Sequence, residues 1–121
     1  MDKAISRINA GESSAALDGS TPTVVCLCGS TRFKDKFIEA MREETLAGKI
    51  VLSVGLFGHL ENPPLDMDGP TKKMLDELHL RKIDLADEVL ILNVGGYIGS
   101  STRNELAYAH QKGKTVRYLE A

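Results

Sequence analysis

Residues 99–110, GSSTRNELAYAH, put one carboxylate in a setting with two chemical meanings. Thr102-Arg-Asn-Glu105 has the Ser/Thr-x-x-Glu form of a helix capping box, in which the glutamate reaches back to the Thr102 amide. A carboxylate on the first turn of a helix, below a Gly/Ser loop, is equally placed to face a bound ligand. At the third helical position the helix dipole and nearby donors are expected to hold Glu105 ionised at neutral pH. In that state it could capture or stabilise the oxocarbenium-like centre formed when a glycosidic bond breaks. A second group must then protonate the leaving base.

A second turn, Cys28-Gly-Ser-Thr-Arg32, matches the first in kind. Gly29 lets the backbone come close to a ligand, and Ser30 and Thr31 add hydroxyl donors; Ser100, Ser101 and Thr102 do the same from the other loop. Each loop feeds a helix N-terminus, where free amides and the dipole attract an anion. The pair suits the phosphate or ribose of a nucleotide, and polar turns that bind nothing are the alternative. The Gly-x-Gly-x-x-Gly and Gly-Lys-Ser/Thr signatures are missing from the sequence, which disfavours NAD binding and ATP hydrolysis. Tyr97, an aromatic in a glycine loop, is placed to stack on a ligand or to pack across an interface. His59 is either a lid residue or a polar loop side chain.

Cys26 and Cys28 lie in a continuous apolar run and read as small buried core residues. Two thiols with no second ligand cluster make a poor metal site, so no metal is expected. Cys26 and Arg32 also have the Cys-x5-Arg spacing of tyrosine phosphatases. A phosphatase thiolate must sit in the phosphate loop, whereas Cys26 lies inside the strand run, no Ser/Thr follows Arg32, and no Asp-Pro acid lies near the C-terminus.

The elements that must position these groups alternate along the chain. Thr23–Cys28 is a strand buried on both faces, and Phe33, Phe37, Ala40, Met41 and Leu46 recur at helical spacing after it. Ile50–Val54 is a second strand, residues 55–70 a long loop, and Thr71–Leu85 a helix with Met74, Leu75, Leu78 and Leu85 on one face. Asp87–Val94 is a third strand, Thr102–Gln111 the last helix and Thr115–Leu119 a closing strand. Asp87 is placed to cap or orient the start of the third strand. Alternation of this kind predicts an α/β fold: a flavodoxin-like (Rossmann-like) open parallel sheet of four or five strands, order 2-1-3-4, with helices on both faces in three layers. Ligands bind such sheets beyond the strand carboxyl ends, where the strand order reverses. Here that point is the pair of glycine-containing loops.

The 121 residues suffice for one domain, expected over 21–121, with residues 1–20 a polar arm or short helix. Fifteen basic and seventeen acidic side chains leave a net charge of −2 and no basic block, which gives no support to a nucleic-acid or membrane partner. No apolar run reaches the length of a membrane span, and the N-terminus lacks the apolar centre of a secretion signal, so a cytoplasmic protein is expected.

Three segments, VVCLCGSTRF, IDLADEVLIL and GGYIGSSTRNELAYAHQKGKTV, resemble the nucleoside 2-deoxyribosyltransferase superfamily, closest to its short transferase-like and nucleotide N-glycosidase branch. The likeness spans residues 23–119 and rests on the Cys-Gly-Ser-x-Arg turn, the Ala-Asp-x-Val opening of the third strand and the Glu-Leu-Ala-x-Ala helix start. It implies Glu105 as nucleophile on the anomeric carbon, Gly29, Ser30 and Arg32 as nucleoside-binding residues, and Gly99, Ser100 and Ser101 against the sugar or 5′-phosphate. It also implies a homodimer or larger assembly whose neighbouring subunit closes the pocket; carboxylate chemistry at an anomeric carbon needs no organic cofactor, so none is expected. Two departures stand out. Where the family often carries an aspartate as proton donor, eight residues before the third-strand aspartate, this chain has His79, which titrates near neutrality. Asp84 is the substitute candidate. The glutamate loop is also less glycine-rich, so Arg103 and Asn104 could narrow the pocket. A nucleotide-binding module without catalysis, with Glu105 on a ribose hydroxyl, is the competing expectation.

Overall fold

The computed structural model describes residues 21–121; the arm expected over residues 1–20 lies outside the described residues. The elements are β1 (Val24–Cys28), α1 (Lys34–Leu46), β2 (Ile50–Leu52), α2 (Pro70–Leu85), β3 (Glu88–Ile91), α3 (Ser100–Gln111) and β4 (Thr115–Tyr118). Short 3-10 turns occupy Thr31–Phe33, Gly58–Leu60 and Val94–Gly96. All strand pairs are parallel, as the alternation of elements predicts, and the order is β2-β1-β3-β4, the flavodoxin-like order expected.

β1 is apolar at every position because it is central and buried on both sides. Its residues alternate between two clusters, as strand geometry requires. Val25 and Leu27 pack with Leu90, Leu92 and, from α1, Phe37 and Ala40. Cys26 and Cys28 pack with Val89, Ile91, Ile83 of α2 and Ala109 of α3. Asp87 ties the start of β3 to β1: its carboxylate accepts from the Val24 amide at 2.8 Å, and its own amide donates to the Val24 carbonyl at 2.8 Å.

Several boundaries and one face differ from expectation: β2 and β3 end at Leu52 and Ile91, short of Val54 and Val94, where the chain turns away from the sheet. α3 begins at Ser100, not Thr102, with Gly99 in extended conformation as its N-cap. α2 begins at Pro70, whose fixed φ and missing N–H suit the first helical position. The side of α2 turned to the sheet carries His79 and Ile83, while Met74, Leu78 and Leu85 are exposed. The helix is apolar on more than one side. The small thiols of β1 leave room for an imidazole, so the face bearing His79 docks.

The two ends of the sheet are closed differently. At the amino ends, Arg117 of β4 pairs with Glu88 of β3 and Glu44 of α1, and Lys49 approaches the same carboxylates at 3.3 and 3.5 Å. At the carboxyl ends β1 and β3 turn into helices on their way to opposite edges, leaving a crevice between their exits. Among the described residues no helix is long and apolar enough to cross a membrane.

Candidate active site

The crevice opens into a cleft of about 380 Å³, within the usual range for a small-molecule site. Gly29, Ser30 and Thr31 after β1 form one wall, and Tyr97, Gly99, Ser100, Ser101 and Thr102 after β3 form the other. Val54 and Leu56 after β2 and Met67 from the long loop contribute an apolar side. α2 supplies the rest through Lys72, Asp76, His79 and Lys82. Gly29 is favoured by packing. A Cβ there would lie 3.0 Å from the Leu92 Cβ and 3.3 Å from the Leu92 carbonyl oxygen, so any larger residue would push the two exits apart by a few tenths of an ångström.

Arg32 takes no place on the cleft wall. Its guanidinium stacks 4.6 Å from the Tyr97 ring centre and donates to the Tyr97 hydroxyl at 3.3 Å, so it orients the aromatic that does line the cleft. The Ser30 hydroxyl accepts from the Arg32 amide at 3.3 Å and starts the turn. Cys26 lies fully buried inside β1, away from the Arg32 guanidinium, and the two do not build a phosphate loop.

Glu105 turns into the cleft. The Thr102 capping box does not form, because α3 starts earlier and Thr102 already belongs to its first turn, where it is buried. Glu105 is therefore the sixth residue of α3, beyond the free amides of the first turn. Its side chain is 13% exposed, and Oε1 lies 3.9 Å from Nε2 of His79. Burial pushes its pKa up to about 7, against the pull of the His79 charge and a hydrogen bond from Cys28; the Cys26 and Asp76 charges push the same way as burial. The expectation that dipole and donors hold it firmly ionised is thus corrected. Its position along the helix is too far for the dipole and too dry for full ionisation.

His79, nearly buried, faces the two thiols: Nε2 lies 3.6 Å from Cys26 Sγ and 3.4 Å from Cys28 Sγ. The thiols are core residues as expected, yet they share this imidazole with Glu105. A hydrogen bond from Cys28 lowers the Cys26 pKa against the effect of burial, with His79 helping. The Cys28 thiol, as donor to Cys26 and buried beside Glu105, is raised. Burial pulls His79 down, but its hydrogen bond to Cys26 and the Glu105 and Cys26 charges outweigh that, and its pKa ends above the ordinary value. Cleft carboxylate, imidazole and thiol pair thus form one continuous protonic cluster. The two sulfurs and a ring nitrogen of Cys26, Cys28 and His79 lie within 4.8 Å of one another, a donor set able to hold a metal ion.

Three cleft residues escape a sequence reading. Lys72 Nζ reaches the Asp76 carboxylate at 2.7 Å and the Ser101 hydroxyl at 2.9 Å, tying α2 to the start of α3. Lys82 Nζ donates to the Ser53 carbonyl at 2.7 Å and anchors the exit of β2. With His79 they lie three or four residues apart, on one helix face. That spacing was the available signal, masked by the leucines on neighbouring faces.

Asp84 is removed from the site. Its carboxylate accepts from the Tyr108 hydroxyl at 2.6 Å and pairs with Arg81 at 3.1 Å, away from the cleft lining. His59 is exposed on the Gly58–Leu60 turn, and Arg103 and Asn104 are exposed on α3; none lines the cleft. No protein-family model matches the chain, and comparison with curated proteins finds no match.

Proposed function

We propose that the protein cleaves, or transfers at, the N-glycosidic bond of a nucleoside or nucleoside 5′-monophosphate, with Glu105 as the nucleophile on the anomeric carbon. The observation that carries this reading is the Glu105 carboxylate, turned into a nucleoside-sized cleft between two hydroxyl-bearing turns. The likeness to the nucleoside 2-deoxyribosyltransferase superfamily supports the same choice of residue.

The lining suggests how a substrate sits. Ser100, Ser101 and the amides opening α3 suit the sugar and a 5′-phosphate, with Lys72 as the cation beside them. The base lies against the apolar side made by Val54, Leu56 and Leu78, with Tyr97 and its Arg32 partner at the rim. A proton for the leaving base comes from the α2 wall, where Asp76 and His79 both face the cleft. In the attack, the Glu105 oxygen bonds the anomeric carbon as the C–N bond breaks. The electron pair leaves with the base nitrogen, which takes the proton, and water or an acceptor base then releases the sugar. Neither metal nor organic cofactor enters these steps. Leu56 and Leu78, 42% and 48% exposed at the cleft, support a homodimer in which a second copy covers the mouth.

The test is incubation with a panel of ribo- and deoxyribonucleosides and their 5′-monophosphates, with chromatography for free base. Release that is lost in a folded Glu105→Ala variant supports the assignment. Ligand binding without release from any member of the panel would make the protein a nucleotide-binding module instead.

A further inference from the structure

The Cys26–Cys28–His79 cluster asks for a reason of its own. A nearly buried imidazole sits in a cluster otherwise made of Ile83, Ala86, Val89, Ile91 and Ala109. Burying an imidazole is costly unless its nitrogens are well satisfied, and thiols are weak hydrogen-bond partners. As mere packing, the arrangement loses free energy relative to an aliphatic side chain at position 79. It also places the chain's only two cysteines on one side of one strand, both aimed at the same nitrogen.

We propose that Cys26, Cys28 and His79 bind one zinc-type divalent cation, with the fourth coordination position facing Glu105 and the cleft. The distances carry the assignment. Tetrahedral zinc with ordinary sulfur and nitrogen bond lengths separates a sulfur from a nitrogen ligand by about 3.5 Å. The observed Sγ to Nε2 separations are 3.6 and 3.4 Å. Two thiols and an imidazole form a soft donor set that selects zinc over magnesium or calcium. The route in is open, because His79 lines the cleft from which the ion would enter while the thiols lie behind it. Glu105 Oε1 lies 3.9 Å from Nε2, so the open fourth position, filled by water, borders the cleft carboxylate without engaging it, and the proton donation assigned to His79 above belongs to the metal-free protein. On binding, the thiols give up their protons to solvent and the sulfurs donate to the cation.

The reduced, full-length protein is freed of metal with a chelator and titrated with Co²⁺. The expected result is a thiolate-to-cobalt charge-transfer band that saturates at one cobalt per chain and is bleached when Zn²⁺ displaces the cobalt. With no other cysteine in the chain, such a band reports Cys26 and Cys28 alone. His79→Gln is expected to weaken cobalt binding by at least about 100-fold, and His110→Gln, on an exposed residue, to leave it unchanged. The absence of a charge-transfer band in the wild type overturns the proposal, as does saturation at half a cobalt per chain, or cobalt affinity unaltered in folded His79→Gln. If that variant does not fold, the wild type decides: Zn²⁺ must raise its thermal midpoint by mass action, and no rise overturns the site. None of these readings depends on nucleoside cleavage, so failure of the base-release panel leaves them intact.

Discussion

Glu88 and Glu105 make a natural experiment within one sheet. Their side chains are equally accessible at the surface, 13% each, but Glu105 lies much deeper among protein atoms, and their acidities move in opposite directions. Burial raises the pKa of both. At Glu88 the hydrogen bonds and charges of Arg117 and Lys49 outweigh it and the pKa falls. At Glu105 burial wins and the pKa climbs to about 7, because it lies deeper and its nearest polar neighbours are an imidazole and thiols in place of fixed cations. Charge at the amino ends of the strands is therefore compensated within the protein. The carboxyl ends keep a carboxylate whose compensation is incomplete, a pattern that clusters at functional sites.

The largest expected effect comes from erasing one side of this contrast. Glu105→Gln should reduce base release by about 10⁴-fold or more, as loss of a nucleophile does, measured on the best substrate of the panel. The same variant should be more stable. The folded pKa of Glu105, about 7, lies above its ordinary 4.5, so its favourable contribution is present below 4.5 and is lost as pH rises through 7. Above pH 7 the wild type carries a penalty on the order of 3 kcal/mol that glutamine removes. Urea melts at pH 4 and pH 8.5 check this, and an equal gain at both would mean that burial of the charge is not the cause.

Catalysis should follow the same titration. A nucleophile must be ionised, so kcat/KM is expected to rise about tenfold per pH unit below the Glu105 pKa and to level off above about 7. A profile falling through that range would make Glu105 the proton donor.

Glu88→Gln breaks the compensated side. At pH 7 it should cost about 2 kcal/mol in a denaturant melt, discounted from a fully buried pair because Arg117 is 37% exposed. With a depressed folded pKa, the contribution of Glu88 is present above its unfolded value and lost as pH falls through the folded one. The difference between wild type and variant should therefore vanish in acid, the reverse of Glu105→Gln. Base release should be unaffected.

Lys72→Met sharpens the ligand side, with an expected rise in KM of about tenfold for a 5′-monophosphate and little change for the nucleoside. The smallest effect is Asp84→Asn, which leaves kcat and KM unchanged and shifts stability by about 0.5 kcal/mol or less, since its partners are at the surface. A marked loss of activity would return Asp84 to the site.

Local features were the legible ones. The strand runs, the helices between them and the glycine at the exit of β1 each follow from a few neighbouring residues, and the parallel pairing follows from their alternation, which is compatible with more than one strand order. The structure departs from the local pattern where two local rules compete. Thr102 and Glu105 satisfy a capping pattern, but Ser100 and Ser101 are equally able to start a helix, and Gly99 supplies the extended residue before them. On α2 the leucines mark an apolar face, and the sheet chose another. Asp84 was singled out by type and position in sequence, which cannot say that Tyr108 and Arg81 claim its carboxylate.

By itself the sequence determined the order of the elements, the two turns that meet at the sheet's carboxyl end, and the presence of one carboxylate just beyond them. All of these depend on periodicity and turn chemistry within a few residues. Only the tertiary structure decided the state of that carboxylate and its company. His79 is 51 residues from Cys28 in the chain and 3.4 Å from it in space. Burial and charge are sums over such distant neighbours, so acidity and a shared donor set exist only once the chain has folded.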